Sequence, residues 1–336
     1  MAIKIIQSES DFHGLRDEWN SLLLKSASHV PFLRHEYLTS WWATLGGGEW
    51  TKGNLEIIVS RDKNNNLLGI APFFHLDQRI LFLGSFEISD YLDLIASPDL
   101  LPAFVDDIFR VLESSEIPPW QVLDLYNLPE DSPTIPILHQ AAAKLGWQTK
   151  EEVLQPAPSL PLPGTWDDYL NTLDDRYRHE IERKLRRADN YFLPVDWYTV
   201  EEEKQLEGEL ESFLELMAHK PEKASFLTGK MTEQIKTAAW EAFRAGWLQL
   251  AFLTVGDIKA AGYLNFDFNQ KIWIYNSGIN PLFENLSPGW VLLSKIIHWG
   301  IKSGRFEIDF MRGDEPYKYH FGGTDKRVLQ IQVSRS

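Results

Sequence analysis

The chain has 336 residues, a formal net charge of −15 and no cysteine. Its length predicts two domains, its negative charge argues against general nucleic-acid binding, and the absence of thiols excludes disulfides and a cysteine nucleophile. No apolar stretch reaches the ~18–20 residues of a membrane span, so we expect a cytoplasmic protein. The nine histidines lack metal-ligand spacing, and no metal site is expected.

The first half of the chain alternates between helical and extended patterns. Hydrophobic periodicity predicts helices over 10–25, 31–45, 101–113 and 135–145, and strands over 2–7, 55–60, 67–75, 79–84 and 120–126. The segment 155–164, QPAPSLPLPG, then has four prolines in ten residues. Such a segment is typical of an extended, semi-rigid connector. We therefore place the domain boundary there, between 1–155 and 156–336.

The second half has the same character. The pattern predicts helices over 166–173, 176–190, 201–219, 233–245 and 288–302, and strands over 194–200, 248–255, 259–268, 272–279 and 306–311. Polar turns separate these strands, as in a sheet built partly of hairpins.

The segment Ser287-Pro288-Gly289 opens the helix over 288–302, directly after the strand over 272–279 and a short loop. Ser287 suits the N-cap, and Pro288 fits the first turn because its missing N–H costs nothing there. A helix N-terminus past a strand end offers free N–H groups to an anion, and Gly289 lets a large anion approach. The alternative is an ordinary helix start in a βαβ crossover.

The two halves match in order. Residues 55–74 resemble 248–268 as strand, polar turn and strand, and residues 120–127 correspond to 305–312, with Asp124 matching Asp309. The repeat is far too long for a solenoid. We therefore expect a duplicated α/β domain.

The block Asp309-Phe310-Met311-Arg312-Gly313-Asp314-Glu315-Pro316-Tyr317-Lys318, the Ser-Pro-Gly helix start and the charged helix over 176–187 resemble the GNAT acyltransferase superfamily. The similarity is to its two-domain, CelD-like branch and, more distantly, to Fem-type aminoacyl transferases. It implies an α/β fold of two tandem GNAT-like domains, each a mixed sheet flanked by helices. Residues 1–155 would be a degenerate copy, and 156–336 would carry the acyl-donor site.

The resemblance also implies a reaction. The strands over 272–279 and 306–311 would splay apart and hold the pantetheine of acetyl-CoA or another acyl-CoA, whose acyl group passes to a small-molecule amine in a ternary complex. The segment 280–288 lacks the glycines of the usual pyrophosphate loop, so the identity of the donor stays open. The alternatives are a Fem-like enzyme that uses aminoacyl-tRNA, the one case in which nucleic-acid binding is expected, and a non-catalytic binding protein.

Two residues are candidates for catalysis. A GNAT enzyme commonly has a tyrosine after the second strand that protonates the leaving thiolate, and Tyr317 is the first candidate by position. Asp309 could deprotonate or orient the amine. Each has a structural alternative. Tyr317 could pack its ring and donate one hydrogen bond. Asp309 has a counterpart, Asp124, in the other half, and a residue present in both repeats is more often a structural hydrogen-bonding residue.

The remaining candidates are binding residues. For the donor we predict Gly278, Asn285, Ser287, Gly289 and Trp290, with Arg183 and Arg187 contacting the 3′-phosphate. A solvated helix face with i,i+4 ion pairs such as Glu180–Lys184 is the alternative for the two arginines. For the acceptor we predict Asp90, Tyr91, Arg312, Asp314, Glu315 and Lys318. Asp90 could instead form a turn. The other four charged residues could instead form an internal salt-bridge network.

Overall fold

The computed structural model describes residues 2–335, so the predicted domain ends at 1 and 336 lie outside the described residues. The chain forms two compact units. Unit 1 comprises the residues up to Gln155 and those from Lys326 onward, and unit 2 comprises Pro156–Asp325. Within residues 2–335, no helix has both the length and the apolar character needed to cross a membrane.

The first part of the chain contains, in order, β1 (Ala2–Ile6), α1 (Glu9–His13), α2 (Arg16–Leu23), α3 (His35–Thr44), β2 (Asn54–Leu55), β3 (Ile57–Arg61), β4 (Leu67–Ala71), β5 (Phe73–Leu76), β6 (Arg79–Phe82), β7 (Ile95–Ala96), α4 (Leu101–Glu113), β8 (Val122–Pro129), α5 (Thr134–Lys144) and β9 (Gln148–Pro156). A short 3-10 helix, Pro31–Leu33, precedes α3.

The chain continues with β10 (Ser159–Pro161), α6 (Trp166–Thr172), α7 (Asp175–Asp189), β11 (Val195–Thr199), α8 (Glu203–Ala218), α9 (Pro221–Phe226), α10 (Gly229–Arg244), β12 (Leu248–Val255), β13 (Ile258–Phe268), β14 (Lys271–Ile279), α11 (Pro288–Lys302), β15 (Glu307–Asp309), α12 (Pro316–His320) and β16 (Arg327–Ser334). A 3-10 helix, Pro281–Leu286, joins β14 to α11.

Unit 1 contains two sheets, with strand orders β1-β3-β4-β7 and β2-β5-β6-β8-β16-β9. The strand predicted over 67–75 is divided between them at Pro72, which has no N–H to donate to a ladder. The predicted boundary assigns residues 326–336 to the second domain, and the sequence pattern predicts no element there. In the structure β16 pairs antiparallel with β8 and so completes a sheet of unit 1.

Unit 2 is built on one six-stranded sheet of order β10-β15-β14-β13-β12-β11. All neighbours are antiparallel except β14 and β15, which are parallel. Side chains alternate across a strand. In β13, Tyr263 belongs to the core cluster that also holds Val291 and Leu292 of α11, whereas Gly262 lies against Phe213 of α8. The helices α8 and α11 therefore cover opposite faces of the sheet.

The predicted fold class is confirmed: both units are mixed sheets flanked by helices. The predicted repeat is also present in the order of pairing. In unit 1, β5 pairs antiparallel with β6, which pairs parallel with β8 after α4. In unit 2, β13, β14 and β15 pair in the same way around α11.

The proline-rich segment is not only a connector. Ser159–Pro161 forms β10 and pairs with β15, so that Ser159 lies opposite Asp309. The strand lies at the edge of the sheet, the position where proline is tolerated because no neighbour needs its N–H. A short edge strand therefore lies within the segment predicted to link the domains.

Candidate active site

The strand β14 has a long free edge. It pairs with β15 only at Lys271, Ile272 and Trp273, after which β14 continues to Ile279 while β15 ends at Asp309. Residues 274 and 276–279 therefore pair with β13 on one side, while β15 is not paired with them on the other. The predicted splay between these strands is present. It leaves strand N–H and C=O groups able to bond a ligand.

The helix α11 begins at Pro288, as predicted, but Ser287 does not cap it through its side chain. Ser287 has φ 51° and ψ 56°, the left-handed region that favours glycine. Its carbonyl accepts from the N–H groups of Trp290 and Val291, at 2.9 and 3.2 Å. The predicted side-chain cap is wrong, because the tight turn out of the 3-10 helix fixes Ser287 in this conformation. Residues held in this region occur in tight turns and also cluster at ligand-binding and active sites.

A cavity of about 390 Å³ lies at this helix start. It is lined by Lys184, His219, Lys220, Ile279, Pro281, Glu284, Ser287, Pro288, Gly289 and Trp290. Three of the predicted donor-binding residues are therefore brought together here: Ser287, Gly289 and Trp290. The two lysines and the N-terminal end of the α11 dipole give the cavity cationic character, against a single carboxylate, Glu284.

The helix α7 contributes a different cation from the predicted ones. Lys184 lies 3.9 Å from the centre of the Trp290 ring and lines the cavity. Arg183 instead pairs with Glu180 at 2.7 Å, and Glu180 also bonds Lys184 at 3.1 Å. The ion pairs predicted as the alternative for this helix are thus present. Neither predicted arginine lines the cavity.

Arg187 and the other two predicted donor residues have structural contacts. Arg187 donates to the backbone carbonyl of Asn285 at 2.6 Å, which fastens the end of α7 to the 3-10 helix. Gly278 lies under α8, where a Cβ would come within 2.5 Å of the backbone of Leu216 and Met217. Glycine is therefore required at this position by helix packing, whether or not a ligand binds.

The polar block after β15 starts with a tight turn. Asp309 is buried, and its Oδ1 accepts from the N–H of Met311 at 2.8 Å. Met311 has φ 61° and Gly313 has φ 111°. The carboxylate of Asp309 therefore holds a strained turn in place. This hydrogen bond accounts for an aspartate at position 309 without a catalytic role. It is the structural alternative that the sequence suggests for Asp309.

Lys318 is enclosed within this turn. Its side chain is 2% exposed, and Nζ donates to the carbonyls of Met311, Arg312 and Gly313 at 3.0, 2.6 and 3.2 Å. Glu315 completes its surroundings at 2.9 Å. An ammonium with three donors is saturated by this set of acceptors. Lys318 thus shapes the turn, which positions the residues around it.

We expect Lys318→Met to destabilise the protein by about 3 kcal/mol, because it leaves buried carbonyls without a donor, at a cost of about 1–3 kcal/mol for each group left unsatisfied. The change is measured by urea unfolding, with Lys230→Met as the control because Lys230 is exposed at the start of α10. The control should stay within about 0.5 kcal/mol of wild type. Equal stability of both variants would contradict the structural role.

Tyr317 lies on α12, immediately after the turn. Its ring packs edge-on against Phe310, with centroids 6.3 Å apart. Burial raises the pKa of Tyr317 well above its ordinary value, and Tyr263 and Glu315 raise it further. Tyr263 also donates to the carbonyl of Gly289 at 3.4 Å, in the first turn of α11. Tyr263 therefore interacts both with Tyr317 and with the first turn of α11.

The neighbouring candidates differ in exposure. Tyr319 donates to Asp325 at 2.7 Å, a bond that raises the pKa of Tyr319 to about 12. Arg312 is half-buried and Asp314 is exposed. Burial raises the pKa of Glu315, but its hydrogen bond and charge interaction with Lys318, its backbone hydrogen bond and the charge of Lys223 together lower it below the ordinary value. Within residues 2–335, no group of three or more acidic or histidine side chains could hold a metal ion.

Asp90 and Tyr91 belong to unit 1, and the other predicted site residues belong to unit 2. Tyr91 is buried and Asp90 is half-buried. The nearby Asp93 is buried with Ser28, Ser132 and Thr134 around its carboxylate. Burial raises the pKa of Asp93, against the effect of these hydrogen bonds. Asp93 is therefore a core residue of unit 1.

Sequence reasoning missed Lys184, His219, Lys220, Ile279 and Lys223. Lys184 could have been found, because it lies in the charged helix that was singled out. The segment from His219 to Lys223 follows an acidic helix, and the switch to basic residues was a weak signal. No local pattern shows that this segment meets β14, because the contact joins residues more than fifty positions apart.

Comparison with known proteins shows which proteins this chain is similar to. Residues 175–319 match the family model described as an acetyltransferase (GNAT) domain. No curated protein sequence matches the chain significantly. Among solved structures, FemX has a TM-score of 0.68 at 12% identity and covers 99% of this chain and 97% of its own.

Two further solved structures are similar. A conserved protein of unknown function from Bacteroides thetaiotaomicron has a TM-score of 0.61 at 12% identity, covering 99% of this chain and 100% of its own. L-PGS from Bacillus licheniformis has a TM-score of 0.60 at 9% identity, covering 95% and 91%. At these identities the structural likeness shows a shared fold over almost the whole chain.

Proposed function

We propose that this acyltransferase, whose residues 175–319 match the model of an acetyltransferase (GNAT) domain, transfers an acyl group from acyl-CoA to the amine of a small molecule. Both substrates are bound together in unit 2. The observation that carries this proposal is the free edge of β14, which runs directly to the cationic cavity at the start of α11.

The donor is held by two features in sequence along β14. The phosphates lie in the cavity, where Lys184, Lys220 and the N-terminus of α11 supply positive charge. The thioester arm follows the edge of β14 that β15 does not cover, where backbone groups of the strand bond its amides. The cavity of about 390 Å³ and its cationic lining fit a diphosphate group. Gly289 is the position where the phosphates approach the backbone.

The reaction is a direct displacement. The neutral amine of the acceptor attacks the thioester carbon, the C–N bond forms and the C–S bond breaks. The nitrogen loses its proton and the sulfur leaves as a thiolate, which is protonated in turn. Since the chain has no cysteine, the acyl group does not pass through a thiol of the protein. Binding both substrates side by side supplies the rate advantage of proximity.

Tyr317 stabilises the leaving sulfur. Its raised pKa keeps the phenol protonated and makes it a hydrogen-bond donor. Full proton transfer to a thiolate, whose acid has a pKa of about 8.5, is uphill from such a phenol. The contribution of Tyr317 is therefore a hydrogen bond that strengthens as charge develops on sulfur, and the proton comes from the attacking amine.

The alternative donor is aminoacyl-tRNA, as the resemblance to Fem-type enzymes and the structural likeness to FemX allow. Three arginines of α7 argue against a nucleic-acid donor. Arg178, Arg183 and Arg186 each pair with a carboxylate of the same helix, at 2.7, 2.7 and 3.5 Å. Ion pairs of this kind leave little unpaired charge for a nucleic-acid backbone.

We expect each chain to bind one CoA. In unit 1 the last paired residue of β6 is Leu81, and β6 ends at Phe82, so it lacks the free edge that β14 has. Titration calorimetry with CoA measures the stoichiometry, and dephospho-CoA serves as the comparison ligand. Two equivalents per chain would show that unit 1 also binds a donor, and no binding at all would overturn CoA as the donor.

A further inference from the structure

Lys223 lies at the free edge of β14, although it comes from α9. Its Nζ donates to the backbone carbonyl of Ser277 and to Oδ1 of Asn276, the latter at 3.4 Å. Both residues belong to the stretch of β14 that β15 leaves unpaired. The ammonium therefore lies where the cleft between the two strands opens.

The direct contacts of Lys223 are neutral oxygens. The carboxylate that acts on it from longer range is Glu315, which Lys318 already bonds at 2.9 Å. Lys220 is of like charge and opposes it. Burial, more than Lys220, lowers the pKa of Lys223 to about 8. A half-buried cation without a dedicated counter-ion is unfavourable, and an anionic ligand relieves that cost.

The donor does not supply this anion. In the proposed binding mode its phosphates lie in the cavity lined by Ser287 and Gly289, past the end of β14. The arm that follows the free edge carries amides and a thioester, all of which are neutral. An anion next to Ser277 must therefore belong to the other substrate.

We propose that Lys223 forms an anion-binding subsite that recognises a carboxylate of the acceptor, so that the acceptors are amino acids or related molecules with both an amine and a carboxylate. The position of the acceptor rests on the proposed acyl transfer. The subsite itself rests on the contacts and charges of Lys223, which stand apart from the reaction.

The test uses direct binding, so that turnover is not required. N-acetyl amino acids, which represent the product of acetyl transfer, are titrated into the full-length protein with CoA present, each beside its carboxamide. We expect at least one acid to bind wild type about 10-fold or more tightly than its amide, as a charge-assisted hydrogen bond does. In Lys223→Met this ratio should fall to about 1, and Lys223→Arg should keep most of it.

The control is Lys230→Met, which removes an exposed lysine from α10 and should keep the wild-type ratio. If Lys223 has only a structural role, Lys223→Met should weaken the binding of the acid and of the amide alike. A loss confined to the acid points to its charge, because only the acid carries one. Thermal unfolding of each variant is measured in parallel, and Lys223→Gln replaces the methionine variant if that one does not fold.

The pH dependence gives a second readout. The affinity for the acid requires charged Lys223, so it should be full well below pH 8 and fall as the pH rises through about 8, the pKa of Lys223. The ligand itself does not titrate in this range. Lys220 and Glu315 act on Lys223 and shift the pH at which the affinity falls, but they do not change the direction of the pH dependence. The arginine variant should keep its affinity to pH 9.5, because guanidinium stays charged.

The outcomes separate this inference from the proposed function. If wild type shows no preference for any acid over its amide, or if Lys223→Met keeps the preference, the subsite is refuted even though CoA binds. If CoA does not bind, the proposed donor is wrong, and the same acids and amides titrated alone still decide whether Lys223 binds a carboxylate.

Discussion

Gly289→Glu is expected to abolish CoA binding, with affinity lowered by at least 10²-fold. The new side chain starts in the first turn of α11 and places a carboxylate in the cavity next to Glu284, where the donor phosphates lie. A Cβ at this position comes within 2.8 Å of Cδ1 of Ile279, the far end of a flexible side chain. The fold can absorb that contact, so the loss reflects charge repulsion more than misfolding.

Two control variants separate charge from bulk. Gly289→Ala adds only the Cβ and should weaken CoA binding by less than about tenfold, since one tight contact with a side-chain end is accommodated at about 1 kcal/mol. Gly229→Glu places the same carboxylate at the start of α10, where a Cβ meets nothing within 4 Å, and should bind CoA normally. If calorimetry shows that Gly289→Glu binds CoA with wild-type affinity, the donor does not bind in this cavity.

Tyr317→Phe is expected to lower kcat by about 10²-fold, with little change in CoA affinity. A positioned proton or hydrogen-bond donor contributes about 10²–10⁴-fold, and the raised pKa of Tyr317 favours the lower end, because its phenol donates a hydrogen bond and keeps its proton. An interaction that grows only as the sulfur becomes charged appears in kcat and not in binding. The measurement is the release of CoA thiol at saturating substrate.

Tyr319→Phe is the matched control for this variant. Tyr319 lies two residues further along α12, and its hydroxyl is engaged by Asp325 at 2.7 Å. We expect its kcat to stay within about twofold of wild type, since surface contacts of this kind contribute little. If kcat falls by less than about tenfold in Tyr317→Phe, or falls further in Tyr319→Phe than in Tyr317→Phe, a group other than Tyr317 stabilises the leaving sulfur.

Much of the fold can be predicted from local pattern. The strand–loop–helix–strand order around Pro288 and the repeated order of elements follow from periodicity and turn residues, which act over a few positions. The fold class of two mixed sheets flanked by helices follows from the family resemblance. The helix start at Pro288 is found because proline fits a first turn. The conformation of Ser287 is not, since the left-handed turn results from how the 3-10 helix meets α11.

The chemistry of individual side chains is harder to predict, because it depends on long-range contacts. Lys318 reads as an available cation, yet three carbonyls and Glu315 enclose it. Gly278 reads as a ligand contact, yet α8 packs against it. Lys223 was not singled out at all, because its place beside Ser277 is set by tertiary packing. Charged and small residues were thus recognised by type, while their partners came only from the structure.

The most direct test of acyl transfer from CoA is the release of thiol when wild-type protein is mixed with acetyl-CoA or longer acyl-CoA esters and a panel of amines. Amino acids and their amides belong to that panel, and charged aminoacyl-tRNA is supplied as donor in a parallel arm. We expect thiol release that depends on both acyl-CoA and an amine, with formation of the corresponding amide. Transfer from aminoacyl-tRNA in the absence of any reaction with acyl-CoA would contradict the proposal.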